Sequence, residues 1–96
     1  MTSSFSVTAT PHYDRLARRL LRQHREFDEA EDRAREILQE DPYNRSRRHA
    51  IKKLEGVSQG DGQYRLSLGR WRFRYDIVGR VVVLHYCGLR REDTYR

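Results

Sequence analysis

Several residue types that mark particular protein classes are scarce in this 96-residue sequence. Its one cysteine, Cys87, excludes an internal disulfide. No apolar run is long enough for a signal peptide or a membrane span, so the expected compartment is the cytoplasm. Cys87 and the four histidines show no metal-ligand spacing, and we expect neither a metal nor another cofactor.

Positive charge is what the sequence has in excess, and it lies mainly in the second half. The formal net charge is +6. Residues 1–44 hold 7 Lys and Arg against 9 Asp and Glu, whereas residues 45–96 hold 13 against 5. A basic half favours a nucleic-acid partner over a small acidic substrate. A membrane-surface partner is not expected, because no predicted helix combines a basic face with a broad apolar one.

The first half of the chain predicts a strand followed by two helices. Residues 5–10 alternate as FSVTAT, which is typical of a short strand at the edge of a sheet or parallel to a neighbour. Thr10 and Pro11 are a favourable helix start, and an apolar stripe at helical spacing follows. A second stripe begins at Phe27 and ends before Asp41 and Pro42. We expect the two helices to form an antiparallel hairpin.

Residues 43–54, YNRSRRHAIKKL, predict an irregular basic segment with a helical turn at its end. A loop rich in glycine and polar residues follows at residues 56–62. The segment carries five positive charges: Arg45, Arg47, Arg48, Lys52 and Lys53. These charges track a phosphate backbone in one interpretation and belong to a solvated linker in the other.

Residues 63–91 predict three short strands joined by two tight turns. Gly-Arg dipeptides at 69–70 and 79–80 each separate alternating runs of aromatic and β-branched residues. A two-residue loop that begins with glycine indicates a β-hairpin, so the three strands should form an antiparallel meander.

Two-residue turns fix how these strands pair. Leu68 should lie opposite Trp71, and Val78 opposite Val81. The predicted core face consists of Tyr64, Leu66, Leu68, Trp71, Phe73, Tyr75, Ile77, Val82, Leu84 and Tyr86. The other side, the open face, carries two predicted rows: Arg65, Arg74 and His85 in the first, and Ser67, Arg72 and Cys87 in the second.

Arginines on facing strands point to an anionic ligand. Like charges directly opposite each other cost a few tenths to about 1 kcal/mol per pair. A phosphodiester is the obvious anion, because guanidinium groups match phosphate oxygens bidentately. Arg90 and Arg91 lie just beyond the last strand, and Val81 and Val83 on the same face could receive another chain. The alternative is a solvated basic face.

The predicted fold class is therefore α+β, in one domain over residues 1–96. It consists of an N-terminal strand, a helical hairpin and then a three-stranded antiparallel meander, with the helices on one face of the sheet.

Several motifs in this order resemble the RelE/ParE superfamily of bacterial toxins from toxin–antitoxin pairs. They are Lys-Lys-Leu-x-Gly at 52–56, Tyr-Arg-Leu at 64–66, Gly-Arg-Trp-Arg at 69–72 with Tyr75 close behind, and Gly88-x-Arg90-Arg91 before a tyrosine. The N-terminal strand and the helical hairpin also follow the family's order, so the resemblance covers nearly the whole chain.

The resemblance implies a RelE-like or ParE-like toxin fold and a protein antitoxin as partner. RelE-like members cut messenger RNA on the ribosome without metal, whereas ParE-like members inhibit DNA gyrase. The family's catalytic positions fall on Arg65, Arg72 and Arg90, and its terminal tyrosine falls approximately on Tyr95. Some RelE-like nucleases have a second basic residue two positions after the first, and this sequence has Ser67 at that position.

Within the nuclease hypothesis, the side chain that accepts a proton stays open between Tyr95 and His85. Arginine cannot serve, because it does not deprotonate in proteins. We expect further RNA contacts from Arg47, Arg48, Lys52, Lys53, Arg74, His85 and Arg91. Gyrase inhibition without catalysis is the alternative function.

Overall fold

A computed structural model of the chain describes residues 4–93. In chain order the elements are β1 (Ser6–Ala9), α1 (Pro11–Gln23), α2 (Phe27–Glu40), β2 (Ile51–Lys53), β3 (Tyr64–Leu68), β4 (Trp71–Val78), β5 (Val81–Leu89) and α3 (Arg90–Asp93). The five strands form one sheet in the order β1-β5-β4-β3-β2. β1 lies parallel to β5 at one edge, and the other neighbours are antiparallel. The predicted N-terminal edge strand is confirmed.

Local sequence signals set the ends of the two long helices. The hydroxyl oxygen of Thr10 accepts a hydrogen bond of 3.0 Å from the backbone N–H of Tyr13, and Pro11 occupies the first turn. Such a cap stabilises a helix by about 1 kcal/mol. α2 ends at Glu40, and Asp41 is its C-cap directly before Pro42, as predicted. No helix within residues 4–93 is long and apolar enough to cross a membrane.

The core lies between the two helices and one face of the sheet. Phe27 of α2 packs edge-on against Trp71, at 5.2 Å between ring centroids, and stacks on Phe73 at 6.0 Å. Burial of a large apolar side chain is worth about 1.5–3 kcal/mol. The buried apolar set is Tyr13, Leu20, Phe27, Ala34, Ile37, Leu38, Leu66, Trp71, Phe73, Tyr75, Ile77, Val82, Leu84 and Cys87. The opposite face of the sheet receives neither helix and is the open face.

Both predicted turns are present. Gly69 has φ 57° and Gly79 has φ 61°, the left-handed region that the first position of this hairpin turn requires. The pairs Leu68–Trp71 and Val78–Val81 therefore form as predicted. The three-stranded meander is confirmed only in part, because β3, β4 and β5 belong to a five-stranded sheet and the pairing of β4 with β5 shifts midway.

This shift is a β-bulge at His85 that the sequence analysis did not predict. Tyr75 pairs with Leu84, but Arg74 pairs with Tyr86, which leaves His85 as the extra residue. One extra residue exchanges the two faces for every side chain beyond it. Tyr86 therefore joins the open face rather than the core, and Cys87 lies in the core at 2% exposure rather than on the open face.

The prediction of a helical turn near residue 54 is wrong. Residues 51–53 form β2, with Ile51 opposite Leu66 and Lys52 opposite Arg65. Hydrogen bonds extend this edge on both sides, from Ser67 N–H to the Ala50 carbonyl and from the Leu54 N–H to the carbonyl of residue 63. Pairing with an available strand edge has overridden the local helical preference of the segment.

Candidate phosphate-binding site

A row of three cations crosses the open face. Lys52 on β2 pairs with Arg65 on β3, and Arg65 pairs with Arg74 on β4. Directly opposite residues in antiparallel strands have Cα atoms about 4.5–5.5 Å apart. We call Lys52, Arg65 and Arg74 the cationic row. The predicted facing of Arg65 and Arg74 is confirmed, whereas Tyr86 takes the place predicted for His85.

The neighbouring row consists of Ser67, Arg72 and Gly88. Nη1 of Arg72 donates hydrogen bonds of 2.8 Å to the carbonyl of Gly69 and 2.9 Å to that of Trp71. The guanidinium group therefore lies over the β3–β4 turn. Glycine at position 88, instead of the predicted cysteine, leaves the space beside Arg72 without a side chain.

Arg74 has a structural role in addition to its place in the cationic row. Its Nε and Nη2 donate to the carbonyl of Gly62 at 3.2 and 3.1 Å, and Nη2 also reaches the Asp61 carbonyl at 3.2 Å. Arg74 thus holds the loop at residues 57–63 against the edge of the open face.

Asp76 is a buried carboxylate that the sequence analysis did not assign to the site. It is 1% exposed and accepts hydrogen bonds from the backbone N–H groups of Gly60 (2.8 Å), Gly62 (3.2 Å) and Gln63 (2.9 Å). Nε2 of His85 lies 2.9 Å from its Oδ2. The sequence did contain a signal for this role. An acidic residue lies among the apolar residues of a strand, two residues after Arg74, and a glycine-rich loop precedes it in the chain.

The C-terminal candidates lie at the end of the sheet where Arg72 lies. The backbone N–H of Arg90 donates to the carbonyl of Arg70 at 2.8 Å, which fixes the start of α3 beside the β3–β4 turn. Arg90 and Arg91 are both exposed. Tyr95 lies outside the described residues.

The basic segment before β2 is divided between surfaces. Lys52 joins the cationic row, but Lys53 pairs with Tyr64 on the other side of the sheet, with Nζ 5.7 Å from the centre of that ring. Arg47 and Arg48 are exposed in the preceding turns, and Arg47 has φ 62°. The structure therefore brings Lys52, but not Lys53, to the predicted phosphate surface.

Hydrogen bonds organise residues 41–49. The Asp41 carboxylate accepts from the backbone N–H of Arg45 (2.8 Å), and from the backbone N–H (3.2 Å) and hydroxyl (2.6 Å) of Ser46. Burial favours the neutral acid, but these hydrogen bonds outweigh burial and hold the pKa of Asp41 below its usual value. Asn44 closes the loop by accepting from the N–H of His49 and donating to its carbonyl.

Arg70 connects the β3–β4 turn to the helices. Its guanidinium group donates to Glu26, lies 3.3 Å from Nδ1 of His24, and stacks over the Trp71 ring at 4.8 Å. A hydrogen bond to its own backbone, together with the charge of Arg70, lowers the pKa of Glu26. Arg70 is thus occupied on the helical side, away from the cationic row.

The buried tyrosines and the cysteine are unsuited to accept a proton. Tyr13 donates its hydroxyl proton to Glu31 at 2.9 Å, and Tyr75 donates to the Pro42 carbonyl at 2.8 Å. Burial raises the pKa of both tyrosines far above the usual value, and it raises the pKa of the Cys87 thiol to about 12. Across residues 4–93, no three His, Cys, Asp or Glu side chains are grouped as ligands for a metal ion.

Comparison with known proteins gives one informative match. No protein-family model matches the sequence, and no curated protein matches it. A chain in the crystal structure of the archaeal RelE–RelB complex from Pyrococcus horikoshii OT3 is similar in structure, with a TM-score of 0.60 and 24% sequence identity. The alignment covers 92% of this chain and 97% of that one. The likeness inferred from the sequence motifs is confirmed at the level of the fold, and the protein has the RelE fold.

Proposed function

We propose that the protein is the toxin of a toxin–antitoxin pair and acts as a ribosome-dependent messenger RNA endoribonuclease. The observation that carries this proposal is the cationic row of Lys52, Arg65 and Arg74 on the open face. A row of cations attracts an anionic ligand, and guanidinium groups match phosphate oxygens bidentately. Arg72 in the neighbouring row places a fourth cation within reach of the same ligand.

RNA supplies both the anion and the nucleophile for this reaction. The 2′-hydroxyl attacks the adjacent phosphorus, and the transition state carries more negative charge than the phosphodiester. Arginines held by the sheet can stabilise that charge without moving, an effect worth about a hundred- to a thousandfold in rate for one donor. Arg65, Arg72 and Arg90 are the proposed donors, and Tyr95 and His85 are the two candidates for the proton acceptor.

The proposed inhibitor is a cognate protein antitoxin. Support comes from the similar archaeal structure, which is a complex of RelE with RelB. Val81 and Val83 are partly buried on the open face beside β1, and Val78 is 51% exposed at the same end. We propose that the antitoxin covers this valine edge or part of the cationic row.

Induction of the full chain in a bacterium tests the proposed activity. We expect new 5′ ends in translated messages, in phase with codons, by primer extension. Arg72→Ala should remove these ends. The matched control is Arg33→Ala, which deletes an exposed arginine on α2, on the helical side of the sheet. Intact messages with the wild-type protein would contradict the nuclease proposal.

A ParE-like gyrase inhibitor is the second candidate, and two observations favour it. Position 67 is serine where some RelE-like nucleases have a basic residue, and the guanidinium groups of Arg72 and Arg74 both donate to backbone carbonyls. This function predicts inhibited DNA supercoiling, with messages left intact. A supercoiling assay run beside primer extension separates the two functions.

A further inference from the structure

The pair Asp76–His85 lies on the open face beside the cationic row, and Asp76 has no role in the mechanism described so far. Asp76 follows Arg74 by two residues on β4, so both side chains lie on the same face of the sheet. His85 is the bulged residue of β5, opposite the junction between Arg74 and Tyr75. Bulges often occur next to active sites, where they redirect a side chain.

The contacts of Asp76 fix the orientation of its carboxylate. Three backbone N–H groups of the loop donate to it, two to Oδ2 and one to Oδ1. These hydrogen bonds hold the carboxylate of Asp76 in place, with Oδ2 beside Nε2 of His85.

The contact with Asp76 determines which nitrogen of the His85 imidazole carries the proton. A separation of 2.9 Å between Nε2 of His85 and Oδ2 of Asp76 places a proton between the two atoms. In the neutral imidazole Nδ1 then has the lone pair and can accept a proton. The side chain of His85 keeps 22% exposure, so the ring is held in place without being closed off from solvent.

Asp76 is the charged group in contact with His85, and the cationic row begins one strand away, at Arg74. Asp76 and Arg74 lie on β4, Arg65 lies opposite Arg74 on β3, and Lys52 lies opposite Arg65 on β2. The paired neighbour of Arg74 on β5 is Tyr86, which directly follows His85. Adjacent strands are about 5 Å apart, so Arg74 and the proposed donor Arg65 lie one and two strand spacings from His85, and a phosphate held at this end of the row approaches the imidazole.

The geometry points to His85 as the catalytic residue that accepts the proton of the attacking 2′-hydroxyl, with Asp76 as the positioning residue. The inference rests on the proposed nuclease function. As the proton moves to Nδ1, the 2′ oxygen bonds to phosphorus and the bond from phosphorus to the 5′ oxygen breaks. The 5′ oxygen then takes a proton from water. The products are a 2′,3′-cyclic phosphate and a 5′-hydroxyl end.

The test measures single-turnover cleavage of a labelled messenger RNA on ribosomes, using the full chain made by cell-free synthesis. For the wild type we expect the rate to rise with pH and then level off, as general base catalysis requires. His85→Gln should lower the rate by about 10²- to 10⁴-fold and abolish this rise, because general base catalysis is worth about that much. His12→Gln, which changes an exposed histidine of α1, is the matched control and should cleave as the wild type does.

Two further variants distinguish catalysis from structure. His85→Ala should recover part of its rate when imidazole is added, which a structural role would not produce. Tyr95→Phe should keep the pH dependence of the wild type. Asp76→Asn should lower the maximal rate, measured at saturating ribosomes, by a larger factor than it raises the ribosome concentration needed for half-maximal rate.

The outcomes separate this inference from the proposed function. If the wild type leaves the message intact, the nuclease function itself is wrong. If the wild type cleaves and His85→Gln retains its rate and pH profile, the inference is overturned and the nuclease function stands. Loss of the pH dependence in Tyr95→Phe but not in His85→Gln would assign the proton acceptor to Tyr95 and also overturn it.

Discussion

Arg65 on β3 lies directly opposite Arg74 on β4, and Lys52 on β2 extends the pair to three cations across three strands. Facing like charges repel one another across a sheet. A bound phosphate removes that repulsion. Loss of a cation from the row should therefore affect ligand binding and protein stability in opposite directions.

Replacing Lys52 tests this relationship, because it is an exposed member of the row. Lys52→Gln should leave the free energy of unfolding unchanged or raise it by up to about 1 kcal/mol. The same variant should bind ribosome-associated RNA more weakly. The slope of the logarithm of the affinity against the logarithm of the salt concentration should fall by about one, which corresponds to the loss of one phosphate contact. Equilibrium denaturation and binding titrations over a range of salt concentrations measure both effects.

Lys53→Gln is the matched control for that experiment, because Lys53 is the next residue of the same strand and lies on the other side of the sheet. It removes the same charge from the same edge. Equal losses of RNA affinity in the two variants would show that overall charge, and not the cationic row, determines binding.

Gly62 should tolerate a side chain less well than Gly79. Both have positive φ, at 82° and 61°, so alanine strains the backbone at either position, by about 1 kcal/mol. A Cβ at position 62 also approaches Cβ of Arg74 to 3.0 Å, whereas none of the described atoms comes within 4 Å at position 79. Gly62→Ala should lower the melting temperature further and reduce activity, because the loop that binds Asp76 must shift. Equal melting temperatures would contradict this account of the loop.

The Asp41 loop should give a pH-dependent contribution to stability. The folded pKa of Asp41 lies below its unfolded value, so its contribution is present above about pH 4 and is lost as the pH falls through the folded pKa. Ser46→Ala removes the 2.6 Å hydroxyl bond and should lower the free energy of unfolding by about 1 kcal/mol at pH 7. Urea denaturation should show this difference shrinking at pH 3. A difference that is independent of pH would contradict the assignment.

Cys87 should be chemically silent in the folded protein. Its thiol is 2% exposed, and burial raises its pKa to about 12, so little thiolate is present at pH 8. Alkylation by iodoacetamide should be slow in buffer and fast in denaturant, as followed by mass spectrometry. Rapid labelling of the native protein would place Cys87 back on the open face, where the uninterrupted register predicted it.

The reliable sequence signals in this chain were local. The Thr10-Pro11 start, the Asp41-Pro42 stop and the two Gly-Arg turns each depend on the conformational preferences of one or two residues, and they set the observed element ends. The facing of Arg65 and Arg74 followed from a turn of two residues.

The features that sequence reasoning missed depend on contacts between distant segments. The bulge at His85 places small, apolar Cys87 under the helices, and alternation along one strand cannot predict an interruption of this kind. β2 forms because the edge of β3 is available to Ile51, which lies fifteen residues before its partner Leu66. The role of Asp76 requires the loop to fold back over β4.

The most direct test of the account is cleavage of a messenger RNA bound to purified ribosomes by the wild type and by Arg65→Gln. Arg65 is the centre of the cationic row, so its loss should reduce the cleavage rate by about a hundred- to a thousandfold while the variant remains folded. The wild-type products should carry 5′-hydroxyl ends. An Arg65→Gln protein that cleaves at the wild-type rate, or a wild type that inhibits gyrase and leaves the message whole, would contradict the account.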